Sequence, residues 1–206
     1  MDNKKIILHL CADIGSDSYP YQLDSNYKVI KIGKKIGVEN YHPPKNVHGI
    51  IANPVCTEFS FAKYLWAQDE EKGMFLVQHC QRIIKEANPV WWAIANPATG
   101  KLKDYIGYPD YIYQPWEFGS PWTKRTALWG KFNKPIKKYS HWDQVKQNKD
   151  LYVRPKRPKC SLAFLHKSAI QFIDEFQPFV KEVKSDNCFR SLCSQGFAEE
   201  FKKVNP

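Results

Sequence analysis

The sequence predicts an α/β fold, a doubly wound and mostly parallel sheet in a single domain spanning residues 1–206. Three observations predict it. Four short runs, 5–10, 27–32, 49–52 and 91–95, have the length and the β-branched or aromatic content of strands. The intervals between them hold loop or helix material and suit crossovers between parallel strands rather than hairpins. A chain of 206 residues that is 43% hydrophobic and 25% charged has enough material for one full core.

The first run, KIILHL, leads into the polar turn Cys11-Ala12-Asp13-Ile14-Gly15-Ser16-Asp17-Ser18, a strand followed by a glycine-containing turn. The second, YKVIKI, alternates in character. The third stops at Asn53-Pro54, and Cys56 follows in a short polar turn. From 59 to 87, Phe61, Leu65, Phe75, Leu76, Ile83 and Ile84 recur at helical spacing, so this stretch is predicted to be helix. The fourth run, WWAIA, ends at Asn96. Ligands of such sheets lie beyond the carboxyl ends of the strands, which puts Ser16, Cys56 and Asn96 on one edge. Near the end of the chain, Phe197 and Phe201 stand one turn apart in an amphipathic helix that would dock on the sheet.

Lys and Arg total 31 against 21 Asp and Glu, a formal charge of +10 that favours a polyanionic partner. Aromatic residues reach 15%, and such rings both pack cores and stack on bases. The most basic stretch, 131–160, interleaves Phe132, Tyr139, Trp142 and Tyr152 with lysines and arginines. Two readings apply: a groove that tracks a nucleic-acid backbone, or a solvated loop whose aromatics tuck into the core. Six scattered cysteines with no C-x-x-C pair argue against a disulfide framework and a zinc knuckle, so the thiols are expected to be reduced. His9, His48, His79 and His141 lack metal-ligand spacing, and no metal site is predicted. No stretch reaches the ~18 apolar residues of a membrane span. The amino-terminal segment lacks an apolar run of signal-peptide length. The expectation is a soluble cytoplasmic protein, in a bacterial host cell if viral.

Five segments, LHLCADIGSDS (8–18), NPVCTEFS (53–60), AIANPATGKL (93–102), QPWEFGSPWTKRTALWG (114–130) and SLCSQGFAEEF (191–201), together resemble a compact phage-type branch of the DNA cytosine-5 methyltransferases. The 114–130 block is the most distinctive, and residues 136 to 187 fall outside the likeness. The resemblance implies a Rossmann-like S-adenosylmethionine-dependent methyltransferase fold acting on DNA, double- or single-stranded. It implies Cys56 as the nucleophile that adds to cytosine C6, Asn96 supporting the flipped base, and Arg125 orienting it. The cofactor would meet Asp13, Gly15, Ser16 and Asp17, with Glu39 and Asn40 on its adenine side and Ser194 approaching from the carboxyl-terminal piece. Lys124, Arg125, Lys137, Lys138, Arg154 and Arg157 are the nucleic-acid candidates. Residues 131–187 would be a reduced basic insert in place of a target-recognition region.

Each assignment has a plainer counterpart. Cys56 sits where a helix N-terminus would stabilise a thiolate, yet free cysteines are often small buried hydrophobes. Lys124-Arg125 also reads as a solvated basic turn, and Glu39-Asn40 as a polar loop or cap. The sequence departs from the family pattern at three positions. Ala95 stands where a carboxylate would protonate cytosine N3, Val55 where proline would precede the nucleophile, and Gly33 where an acidic residue would end the second strand. A missing general acid costs about 10² to 10⁴ in rate. Glu58, or next Glu117, would have to replace it; or the substrate is a pyrimidine already protonated at N3, such as uracil; or the chain binds nucleic acid without catalysis, as a decoy on the same fold.

Overall fold

The computed structural model describes residues 4–59 and 69–206. Its strands are β1 (Lys5–Leu10), β2 (Tyr27–Ile32), β3 (Val47–Ala52), β4 (Trp91–Pro97), β5 (Tyr111–Tyr113) and β6 (Thr126–Lys131). They form one sheet in the order β2-β1-β3-β4-β6-β5. The first four strands pair in parallel, with Leu8 opposite both Ile30 and Ile50, and Ile51 opposite Ala93. β6 then runs antiparallel between β4 and β5, pairing Asn96 with Ala127 and Tyr113 with Thr126. The fold is thus α/β with a mixed sheet.

Alternation along the strands assigns the two faces. Leu8, Leu10, Ile50, Ala52, Ile94 and Trp129 pack with Val77, Cys80, Ile83 and Ile84 of α2 (Glu70–Ala87). Ile7, Ile51, Trp91, Ala93, Ala95 and Leu128 pack on the other face, with Tyr21 of α1 (Tyr19–Gln22) and Phe197, Ala198 and Phe201 of α5 (Gln195–Val204). A fully buried Leu or Phe in these layers contributes about 1.5–3 kcal/mol, so the sheet sequence and its covering helices hold one another in register. Two shorter helices, α3 (Lys103–Ile106) and α4 (Asp186–Ser191), lie elsewhere along the chain.

α2 starts at Asp69, whose side chain accepts from Lys72 N, and ends where Asn88 turns left-handed at φ 44°. A 3₁₀ turn at Thr57–Phe59 precedes it. The rest of the expected 59–87 helix, with Phe61 and Leu65, lies outside the described residues. β5 and β6 were not among the predicted strands.

Between β6 and α5 the chain builds a third apolar cluster. Leu151, Leu162, Phe176, Phe179 and Phe189 close around Trp122 and Ile14. Glu175 ties it to the main body: its carboxylate accepts from Trp122 Nε1 at 2.8 Å, Ser120 Oγ at 3.0 Å and Gln195 N at 2.7 Å. Of the aromatics interleaved in the basic stretch, Trp142 is buried, Phe132 packs on Phe201, and Tyr152 faces solvent.

Candidate active site at the carboxyl edge of the sheet

The turn after β1 and the turn after β3 meet through side chains. Asn53 Nδ2 donates to Asp17 Oδ1 at 3.2 Å, so its Oδ1 is the acceptor for His9 Nε2 at 3.0 Å. His9 therefore carries its proton on Nε2 and turns Nδ1 to Ser18 Oγ, 2.8 Å away. Burial lowers the His9 pKa, against the nearby Asp17 charge and the hydrogen bond to Asn53. A Ser18–His9–Asn53–Asp17 chain thus fixes the start of the loop that carries Cys56.

That loop is held from below by β4. Asn96, 3% exposed, donates from Nδ2 to Pro54 O at 3.0 Å, while its Oδ1 is buried with no partner among the described residues. Lys101 N donates to Phe59 O and Ala98 N to Arg125 O, both at 3.0 Å. The Cys56 loop, the end of β4 and the start of β6 are therefore stitched together at one corner.

Lys124 points inward. Its Nζ donates to the carbonyls of Ser191 and Leu192 at 2.9 Å each. Its pKa is lowered by burial and supported by the charges of Asp17, Cys193 and Cys56. Burial pushes the Cys56 thiol up, with Lys124 and the Cys56 backbone N–H pulling the other way. The segment in which a helix N-terminus is expected to stabilise the Cys56 thiolate lies, beyond the 3₁₀ turn at Thr57–Phe59, outside the described residues; within them the positive charge that opposes burial comes from Lys124. Arg125 presents an exposed side chain at the same corner.

The other sequence candidates divide. Asp13 is exposed and accepts from Lys34 N at 2.9 Å through Oδ1. Gly15 takes φ 83°, a left-handed conformation that glycine adopts without strain, and the flexible Lys31 stem lies over it while Lys31 Nζ donates to Ile14 O. Ser16 turns inward: its Oγ accepts from Cys193 N and its carbonyl accepts from Gln195 Nε2. Ser194 caps α5 by accepting from Phe197 N and pairs with Ser120 Oγ at 2.7 Å, so its hydroxyl is committed away from the β1 turn. Glu39 and Asn40 are exposed in a loop that Arg82 pins to α2 through the carbonyls of Val38, Glu39 and Tyr41.

Lys137 pairs with Glu117 at 2.8 Å and Lys138 with Glu200 at 3.1 Å, while Arg154 stacks over Phe164. Arg157 is exposed. Glu117 is thereby committed to Lys137 and also accepts from Gln114 N. The Glu58 side chain lies outside the described part. Among the described residues no group of three or more His, Cys, Asp or Glu is placed to hold a metal, and no helix is long and apolar enough to cross a membrane. A cleft of about 550 Å³ bounded by residues 119–121, 146–150 and 172–175 contains neither Cys56 nor Asn96.

The sequence reading missed His9, Asn53 and Cys193 as site residues. A signal was present for His9, a polar residue inside an otherwise apolar strand, and for Asn53, which directly ends a buried one. None marks Cys193, whose backbone N–H is the group that reaches Ser16.

No protein-family model matches this chain. No curated protein matches it. Solved structures similar to it include one described as a DNA modification methyltransferase encoded within a prophage (E. coli), 12% identical, with a TM-score of 0.44 over 74% of this chain and 56% of that one. Another is the Entamoeba histolytica methyltransferase EhMeth, 13% identical, with a TM-score of 0.43 over 81% of this chain and 64% of its own. The chain therefore spans less than two thirds of either.

Proposed function

We propose that this chain is a DNA cytosine-5 methyltransferase homologue, built on a doubly wound methyltransferase sheet, that attacks a flipped pyrimidine through Cys56. The observation that carries the reading is the corner where Asn96 fixes the Cys56 loop through Pro54 O, with Lys124 and Arg125 arriving just ahead of the adjoining strand β6. The sequence resemblance names those same residues.

In this mechanism Cys56 adds as thiolate to C6, placing electron density on C5; after C5 is methylated, loss of its proton expels the thiolate and restores the ring. Asn96 keeps the loop in place. Lys124 opposes the burial that holds the thiol protonated. Arg125 orients the base or the neighbouring phosphate. When bound, S-adenosylmethionine supplies an electrophilic methyl group. The residues suited to hold it are Asp13, the left-handed Gly15 turn and Asp17, with Glu39 and Asn40 toward the adenine. The turn suits such a group in that its glycine is left-handed and the nearest atoms over it belong to the flexible Lys31 stem, with the His9 ring next at 3.5 Å. Ser16 braces this turn from behind by accepting from Cys193 N, while Ser194 serves the cap of α5. DNA contact falls to Arg125, Arg154, Arg157 and the basic face of 131–187, whose Lys137 and Lys138 are partly neutralised by their partners.

The test is incubation with labelled S-adenosylmethionine and DNA containing 5-fluorocytosine, whose fluorine blocks release of the C6 adduct. A methylated covalent complex that disappears in Cys56→Ser supports the reading. A second reading, a non-catalytic nucleic-acid-binding protein, is favoured by Ala95, which leaves no carboxylate at that strand position. DNA binding without adduct or cofactor binding would establish it in place of the first.

A further inference from the structure

We propose that Asp13 supplies, from the turn after β1, the ribose-binding carboxylate that the end of β2 lacks, and that Gly33 is the space that admits it. This rests on the cofactor reading above. In nucleotide-binding α/β sheets, an acidic residue at the end of the second strand accepts from the ribose hydroxyls. Here that strand ends Ile32-Gly33-Lys34, with no acid. The carboxylate of Asp13 occupies the vacated place. A Cβ on Gly33 would collide with Asp13 Oδ1 and stand 2.9 Å from Ala12 O, so any side chain there would displace the carboxylate.

Neighbouring contacts make the placement firm. Ala12 N donates to Ile32 O at 3.1 Å, which brings the two turns side by side. Lys34 N donates to Asp13 Oδ1 at 2.9 Å, and Gly37 N donates back to Gly33 O at 2.9 Å, closing the turn beneath. Asp13 is exposed in the turn that follows β1 at the carboxyl edge, so its carboxylate is open to a ligand there. A ribose diol offers two donors to one carboxylate, a charge-assisted pair that a neutral amide cannot reproduce. The loss of an acid at 33 and the gain of one at 13 are then a single exchange between adjacent turns.

The plainer role for Asp13 is to brace the Lys34 N–H. Asp13→Asn separates the two, because an asparagine keeps the Oδ1 acceptor for that N–H and loses the charge. Equilibrium binding of S-adenosylhomocysteine, adenosine, 2′-deoxyadenosine and 3′-deoxyadenosine would be measured on the full chain and on Asp13→Asn, Gly33→Asp and Asp13→Gly/Gly33→Asp. The wild type is expected to prefer adenosine over both deoxy ligands by about tenfold, the equivalent of about 1.4 kcal/mol. Asp13→Asn should erase that preference with its melting temperature unchanged. Gly33→Asp alone should weaken binding through the collision, and the double exchange should recover part of the lost affinity, because removing the Asp13 side chain frees its place while Ala12 O still crowds the new Cβ at 2.9 Å. Intact ribose preference in Asp13→Asn would overturn the assignment while leaving the cofactor reading standing. Failure of the wild type to bind S-adenosylhomocysteine or adenosine at all would overturn the cofactor reading, and the assignment with it.

Discussion

Asn96 offers the sharpest test of how the Cys56 loop is held, because its two side-chain atoms have opposite energetic roles. Its Nδ2 satisfies Pro54 O at 3.0 Å, and its Oδ1 is a buried acceptor without a partner among the described residues. Asn96→Leu removes both at similar volume. It strands the Pro54 carbonyl, at about 1–3 kcal/mol, but relieves a second stranded acceptor of the same order, so the net change should stay within about 2 kcal/mol. Asn96→Asp keeps the unsatisfied acceptor and can serve Pro54 O only by holding a proton above the ordinary carboxyl pKa, at a cost of about 2–4 kcal/mol near neutral pH. For a chain of this size each kcal/mol moves the melting temperature by about 2–4 °C, so thermal unfolding resolves the two. Both variants should also speed alkylation of Cys56 by iodoacetamide at fixed pH, since a released loop relieves the burial that holds the thiol up. Asn96→Asp proving as stable as the wild type, or Cys56 alkylating at an unchanged rate in both variants, would refute the reasoning.

Lys124→Met should move the pH midpoint of Cys56 alkylation upward and Lys124→Arg should hold it near the wild-type value, because the Lys124 charge opposes burial at that thiol; identical pH profiles would remove Lys124 from the site. Glu175 has its pKa raised by burial, against the pull of Ser120, Gln195 N and Trp122. The stability its proton contributes is present below the ordinary glutamate pKa and is lost as pH rises through the folded value, so unfolding free energy should fall across that window and Glu175→Gln should flatten the slope in denaturant titrations. If DNA lies across the exposed basic groups, Arg125→Ala and Arg157→Ala should each lower the slope of log affinity against log salt by about one. The ion-paired Lys137 and Lys138 should contribute less in the same titration.

The parallel half of the sheet was legible because each strand is a short run of β-branched or aromatic residues ending in a polar turn. The carboxyl-edge convergence of Ser16, Cys56 and Asn96 came from that topology. β5 and β6 were harder: Tyr111–Tyr113 is only three residues, and Thr126–Lys131 lies in a block read for its Thr-Lys-Arg chemistry, which masked its strand character. Side-chain direction was not legible at all. Nothing in the string TKRT says that Lys124 turns in to main-chain carbonyls while Arg125 turns out. Ser16 and Ser194 have the polarity of ligand contacts, yet both hydroxyls accept from backbone N–H groups, one of them brought from a distant part of the chain.

The three departures from the family pattern do not weigh equally. Val55 replaces a proline at a position 48% exposed, where a rigid ring would add little beyond what Asn96 already fixes through Pro54 O. Gly33 is offset by Asp13. Ala95 alone has no replacement among the described residues: Glu117 is tied to Lys137, and the carboxylate hydrogen-bonded into the Cys56 loop, Asp17, reaches it only through Asn53. In the proposed mechanism, attack of Cys56 on cytosine would build negative charge that protonation at N3 would quench, whereas uracil carries that proton from the start and can place the charge on its C4 oxygen. Trapping should therefore be faster on 5-fluorouracil than on 5-fluorocytosine in otherwise identical DNA. Ala95 lies in the apolar layer with Tyr113 and Cys193, where a new carboxyl group would be kept protonated by burial and ready to donate. Ala95→Glu should raise the rate on 5-fluorocytosine by about 10² to 10⁴ and leave 5-fluorouracil little changed. Equal trapping of the two bases by the wild type, with no gain on cytosine in Ala95→Glu, would mean that the missing acid is not what limits this site.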